Sequence, residues 1–210
     1  MTALVYLHGF SSGPGGSKGT FTRKWAEHRG IPFWAPDLNL PTFETLTVTA
    51  QVAAVETLLA SLPQPPVLVG SSMGGFVATA VAHRGAALRA LILLAPAIHF
   101  GQRRLASPAW APYWERGEME VFHYAAGAPR RLGPQLGEDL VNWMDDATWR
   151  IPVPTTILHG RADTLVPLEV SEAYVGRNPH AVLHVLDDGH ELLRLETLAR
   201  LRGELEAAFA

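Results

Sequence analysis

Val67-Leu68-Val69-Gly70-Ser71-Ser72-Met73-Gly74-Gly75-Phe76 carries an apolar, β-type stretch into G-x-S-x-G and directly on into a helical pattern. Strand, sharp turn and helix in that order form the geometry of a nucleophile elbow, which holds a serine at the tip of a strained turn. Ser72 is therefore the candidate nucleophile. Gly70 and Gly74 leave room for the strand and the helix to cross closely.

Upstream, Ala3-Leu4-Val5-Tyr6-Leu7 reads as a buried strand that ends at His8-Gly9-Phe10. The loop after such a strand can present backbone donors beside the serine, so the N–H groups of Phe10 and Met73 are the candidate oxyanion donors. Downstream, the β-rich Thr155-Thr156-Ile157-Leu158-His159-Gly160 leads into Arg161-Ala162-Asp163. A carboxylate at a strand's carboxyl end can accept the Nδ1 proton of a histidine and fix its tautomer, which makes Asp163 the candidate acid. Ala181–Leu186 then reads as a last strand, followed by Asp187-Asp188-Gly189-His190. His190 is the candidate general base, reaching Ser72 through Nε2 and Asp163 through Nδ1. Asp187 and Asp188 are rival acids, but their nearness to His190 in sequence suits loop capping or solvated charge better.

Through LHGF at 7–10, GSSMGG at 70–75, HGRAD at 159–163 and DGH at 188–190, the chain resembles the α/β-hydrolase superfamily over almost its whole length. YLHGFSSGPGGSK at 6–18 and APDLNLP at 35–41 look most like a small bacterial serine esterase, the YqiA-like branch. The resemblance implies hydrolysis of an ester or a related acyl bond with no cofactor and names no substrate; the expectation is a carboxylic ester of small or medium acyl chain, cleaved through an acyl-enzyme intermediate. It also implies a triad of Ser72, Asp163 and His190 and an oxyanion hole from Phe10 and Met73. Thioester or amide cleavage would use the same residues. A reading from another class is a non-catalytic ligand-binding protein of the same fold.

Strand and helix patterns alternate along the chain, which predicts a three-layer α/β fold with a mainly parallel sheet of about six strands, covered by helices on both faces. Strands are expected near 3–7, 31–35, 66–70, 88–94, 153–159 and 181–186. Helices are expected near 19–29, 44–61, 73–84, 167–176 and 191–208, the last turning Leu198, Leu201, Leu205 and Phe209 toward the sheet. The superfamily usually carries two further strands before the first of these, so the chain resembles a trimmed core. The length suits a single domain over residues 1–210.

The stretch at about 98–150 is too long for an ordinary connection and is expected to be a cap insertion. It holds four of the six tryptophans, Trp110, Trp114, Trp143 and Trp149, with Phe100, Tyr113, Phe122 and Tyr124. These aromatics either pack the cap onto the core or line an acyl pocket, and packing is the commoner fate of a large ring.

A net charge of −3 and no basic run beyond Arg103-Arg104 and Arg130-Arg131 give nucleic-acid binding no support. Without cysteine there is no disulfide and no thiolate nucleophile. No signal peptide or membrane span is evident, so a cytoplasmic location is the expectation. The remaining histidines, His28, His83, His99, His123, His159, His180 and His184, show no metal-ligand spacing. His99 and His123 flank or fall in the cap and are candidate substrate contacts. The Ser11–Lys18 loop has glycines and a lysine but not the order of a phosphate loop, and reads as a surface loop beside the oxyanion strand.

Overall fold

The computed structural model describes residues 1–210. Strands and helices alternate through β1 (Leu4–Leu7), α1 (Ser17–Glu27), β2 (Phe33–Trp34), α2 (Val48–Ser61), β3 (Val67–Ser71), α3 (Met73–His83) and β4 (Ala90–Leu94). An inserted segment follows, with α4 (Phe100–Ala106), α5 (Ala111–Arg116), β5 (Met119–His123), β6 (Ala128–Leu132) and α6 (Gln135–Leu140). The alternation resumes with β7 (Thr155–Gly160), α7 (Leu168–Arg177), β8 (Ala181–Leu186) and α8 (Leu195–Phe209).

Runs such as Leu4-Val5-Tyr6-Leu7 are apolar on both faces, so they need cover above and below, which a parallel sheet between helices provides. The six-stranded sheet has the order β2-β1-β3-β4-β7-β8, and every neighbouring pair is parallel. Successive residues feed opposite layers. Val5, Leu7, Leu68, Leu91, Leu93 and Ile157 join the core beneath α2 and α3, with Val52, Val55, Phe76 and Val77. Leu4, Tyr6, Val67, Val69, Ile92 and Leu94 face α1 and α8, with Trp25, Leu201 and Leu205.

Several boundaries differ from the sequence reading, each for a local reason. α2 starts at Val48, not near 44, because the Thr47 side chain caps it by accepting from the Ala50 N–H at 3.1 Å. α8 starts at Leu195, not near 191. Leu192 has φ +52°, which interrupts any earlier turn, and Asp188 Oδ2 accepts from the Arg194 N–H at 3.0 Å and the Thr197 hydroxyl at 2.7 Å. Leu201 and Leu205 are buried as expected; Leu198 and Phe209 are partly covered, with the Phe209 ring tilted against Trp25 at 5.5 Å. The antiparallel β5–β6 hairpin was not expected. Its alternation is masked because Phe122 points to solvent and four of the five residues of β6 are exposed.

The sheet and α3 meet at Gly74. A Cβ there would lie 2.3 Å from the Leu7 carbonyl oxygen and 2.5 Å from that of His8, both backbone atoms that cannot swing aside. Gly74→Ala is expected to cost about 3 kcal/mol as an overpacked helix–strand crossing. A thermal melt would show this as a drop on the order of 10 °C for a domain of this size; a melting temperature within a degree or two of wild type would contradict the account.

Candidate active site

The turn after β3 puts Ser72 at φ 53°, ψ −117°, a region that costs a non-glycine residue about 1–3 kcal/mol. The surroundings over-determine it. Ser72 N–H donates to the Leu94 carbonyl at 2.9 Å, while its own carbonyl accepts from Gly75 at 2.9 Å, Phe76 at 3.1 Å and Ala97 at 2.9 Å. A Cβ at Gly70 would lie 2.5 Å from the Gly74 carbonyl, so strand and helix can approach this closely only through glycine.

Ser72, Asp163 and His190 come from three different loops at the carboxyl ends of β3, β7 and β8, where a parallel α/β sheet gathers its loops. His190 Nδ1–H donates to Asp163 Oδ2 at 2.7 Å, and Nε2 lies 3.1 Å from Ser72 Oγ, as an acceptor of the serine proton. The Asp163 side chain is fully buried. Burial alone would raise its pKa. Hydrogen bonds from His159, His190 and the Val166 N–H outweigh that and hold the carboxyl well below the usual carboxylate range. Asp163 Oδ1 accepts from the Leu165 and Val166 N–H groups, each at 2.8 Å.

Gly160 lets these loops touch. A Cβ there would sit 2.4 Å from the Asp188 carbonyl, so the histidine loop crosses directly over the end of β7, and the Ala162 N–H donates to that same carbonyl at 3.0 Å. Neither rival acid reaches His190. Asp188 is spent on Gly189, Arg194 and Thr197. Asp187 is exposed and pairs with Arg194 at 3.1 Å.

The loop after β1 lies against the serine: a Cβ at Gly9 would be 3.3 Å from Ser72 Cβ. Neither the Phe10 N–H nor the Met73 N–H donates to a protein acceptor. His8 braces this loop, its Nδ1–H donating to the Gly9 carbonyl at 2.9 Å and its Nε2 accepting from the Leu38 N–H at 2.9 Å. Burial lowers its pKa, which suits the neutral ring these bonds require.

Supporting contacts escaped the sequence reading. His159, fully buried, accepts from Ser171 Oγ at 2.7 Å and donates through Nε2 to the Val166 carbonyl at 2.9 Å, with Asp163 Oδ2 at 3.3 Å. Lys18 crosses from the glycine-rich loop to the Glu191 carbonyl at 2.6 Å, and burial lowers its pKa. Their signal was present in HGRAD and GPGGSK, but no one-dimensional rule says that these side chains turn toward Asp163 and the histidine loop.

The candidate substrate contacts have protein partners. His99 Nδ1 bonds the buried Asp146 at 2.7 Å, tying one end of the inserted segment to the other. His123 packs edge-on against Phe43 at 4.7 Å and accepts from the Ala126 N–H at 3.2 Å. Of the segment's rings, Phe100, Trp110, Tyr113 and Trp149 are buried in the core, Trp114 and Trp143 are partly covered, and Phe122 and Tyr124 are exposed. No helix is long and apolar enough to cross a membrane.

Over residues 3–197 the chain matches the model of a family described as uncharacterised protein family UPF0227. No curated protein matches it. Among solved structures it is similar to α/β hydrolase domain-containing protein 10 from mouse, with 20% identity over 99% of this chain and 89% of that one and a TM-score of 0.83. Est1E from Butyrivibrio proteoclasticus, solved with ferulic acid bound, has 19% identity over 99% and 88% of the two chains, with a TM-score of 0.80. The monoacylglycerol lipase of Paleococcus ferrophilus has 17% identity over 99% and 96%, with a TM-score of 0.76. What these proteins share with the chain is the α/β-hydrolase fold.

Proposed function

The chain belongs to the UPF0227 family, and from that premise we propose that it is a serine hydrolase that cleaves carboxylic esters through an acyl-enzyme intermediate. One observation carries the reading: the continuous Asp163–His190–Ser72 hydrogen-bond chain ending on a serine held in a strained turn. A passive binding protein has no use for that strain or for a buried carboxylate behind the histidine. Similar folds in an esterase and a lipase agree with the proposal.

In the first half-reaction His190 Nε2 takes the Ser72 proton as Oγ attacks the ester carbonyl. The unpartnered Phe10 and Met73 amides receive the developing oxyanion, and Asp163 stabilises the imidazolium. The protonated histidine then delivers its proton to the leaving alcohol. Water repeats the sequence on the acyl-enzyme and releases the acid. The inserted segment stands over this edge and limits acyl length, which favours small or medium chains.

Hydrolysis of p-nitrophenyl esters from two to sixteen acyl carbons, with fluorophosphonate labelling of Ser72, tests the proposal. Short-chain turnover with labelled Ser72 is expected. A long-chain or thioester optimum would move the substrate class, and no turnover with unlabelled Ser72 would overturn the reading in favour of a binding protein.

Asp163→Asn is expected to lower kcat on the order of a thousandfold or more, because the amide cannot hold the imidazole in the required tautomer or stabilise its charge. Steady-state kinetics at fixed pH measure this, and near-wild-type kcat would move the acid role elsewhere. The pH dependence has a definite sign. A lowered carboxyl pKa means that Asp163 contributes stability above the ordinary carboxylate range, lost only as pH falls through its lowered folded value. Asp163 therefore stays ionised, and able to hold the His190 imidazole, well into the acid range.

A further inference from the structure

On α4, the Arg104 guanidinium stands over three rings, with Cζ 4.6 Å from the centroid of Trp110, 4.9 Å from Phe100 and 6.0 Å from Phe10. Phe10 is itself 5.8 Å from Trp110 and 5.7 Å from Phe43, and it follows Gly9, which lies against Ser72. The cation and one proposed oxyanion donor therefore share a residue. α4 is also close to the acid loop, since the neighbouring Arg103 donates to the Leu165 carbonyl, two residues after Asp163.

Several arginines have carboxylate acceptors: Arg130 pairs with Glu44, Arg84 with Glu56 and Arg29 with Glu206. Arg104 has no such partner. No carboxylate faces it, its guanidinium donates to no protein acceptor, and the charge that acts on it is the repulsive one of Arg103. Ring faces attract the cation but take none of its five N–H donors, which point outward in the guanidinium plane. Burial lowers its pKa only to about 10, so it stays charged at neutral pH. A planar cation stacked on aromatic walls with its donor edges free has the form of a carboxylate or phosphate fork.

We propose that Arg104 binds an anionic group of the substrate, so that the preferred substrates are esters bearing a carboxylate or phosphate near the scissile bond. This rests on the serine-hydrolase reading of Ser72. The rings orient the guanidinium, and the anion supplies the missing acceptor. Affinity and register, rather than bond making, are its contribution.

The test compares kcat/KM for p-nitrophenyl butyrate, mono-p-nitrophenyl glutarate and the butyryl ester of 4-hydroxybenzoate. The first is neutral, the second carries its carboxylate on the acyl side and the third on the leaving group. Wild type is expected to favour one of the charged esters over the neutral one by about tenfold or more beyond the ratio that Arg104→Met shows, mainly through KM, as for a charge pair at a partly desolvated site. Which charged ester gains shows which side of the bond Arg104 reads. Relative to wild type, the charged-to-neutral ratio for the favoured ester should fall about tenfold in Arg104→Met, fall less in Arg104→Lys, and decline with salt in wild type. If Arg104→Met does not fold, the lysine variant and the salt titration still decide. Equal ratios in wild type and variants, with p-nitrophenyl butyrate still cleaved, would overturn the anion site while leaving the hydrolase reading standing. Loss of all turnover together with an unlabelled Ser72 would overturn both.

Discussion

Ser72→Ala is expected to fold with a melting temperature close to wild type, to hydrolyse every ester on the order of 10⁵-fold to 10⁶-fold more slowly, and to take up no fluorophosphonate. The size of the loss follows from what alanine removes: the only atom that forms the covalent intermediate. Stability changes little, because the strain at residue 72 lies in its backbone and the bonds that impose it, from Leu94, Gly75, Phe76 and Ala97, all use backbone atoms. Activity kept within tenfold of wild type would remove Ser72 as the nucleophile.

His190→Ala is expected to lose a similar factor, and the double variant with Ser72→Ala to lose no more than either alone, because the two act as one proton-transfer unit. Residual turnover in both is expected from the proposed Phe10 and Met73 oxyanion donors and from substrate binding. The histidine variant differs from the serine variant in stability. Removing the imidazole leaves the buried Asp163 without one of its donors, although Leu165, Val166 and His159 remain. A cost of about 1–3 kcal/mol is the usual size for such a loss, and thermal melts of both variants measure it. Single variants whose losses multiply in the double would show that serine and histidine do not work together.

The inner strands of the sheet were legible because they are covered on both faces. Val67–Val69 and Leu91–Leu94 are unbroken apolar runs bounded by turn residues, so their ends fall within a residue or two of where the sheet places them. The inserted segment was legible only as an interruption. Its hairpin exposes Phe122 and most of β6, so the usual alternation is absent, and its fold depends on contacts made elsewhere, such as Tyr113 donating to the Gly133 carbonyl at 2.9 Å. The burial of Trp110 and Trp149 likewise depends on what covers them.

The sequence by itself determined the order of the elements and the chemical kinds of residue at the strand ends. Both follow from local spacing and backbone demands: glycine where chains cross at Gly70 and Gly74, and a serine, an aspartate and a histidine after successive strands. Only the tertiary structure decided which of these side chains meet. It brought Asp163, and not Asp187 or Asp188, within hydrogen-bond reach of His190, with Asp188 committed to the start of α8, and it turned His159 onto Asp163 and Lys18 onto Glu191. It also left Arg104 among rings without an acceptor. The physical reason is that hydrogen bonds and ion pairs between distant loops depend on distances of a few ångströms, which the parallel sheet sets by gathering its carboxyl ends along one edge. Spacing along the chain carries no record of those distances.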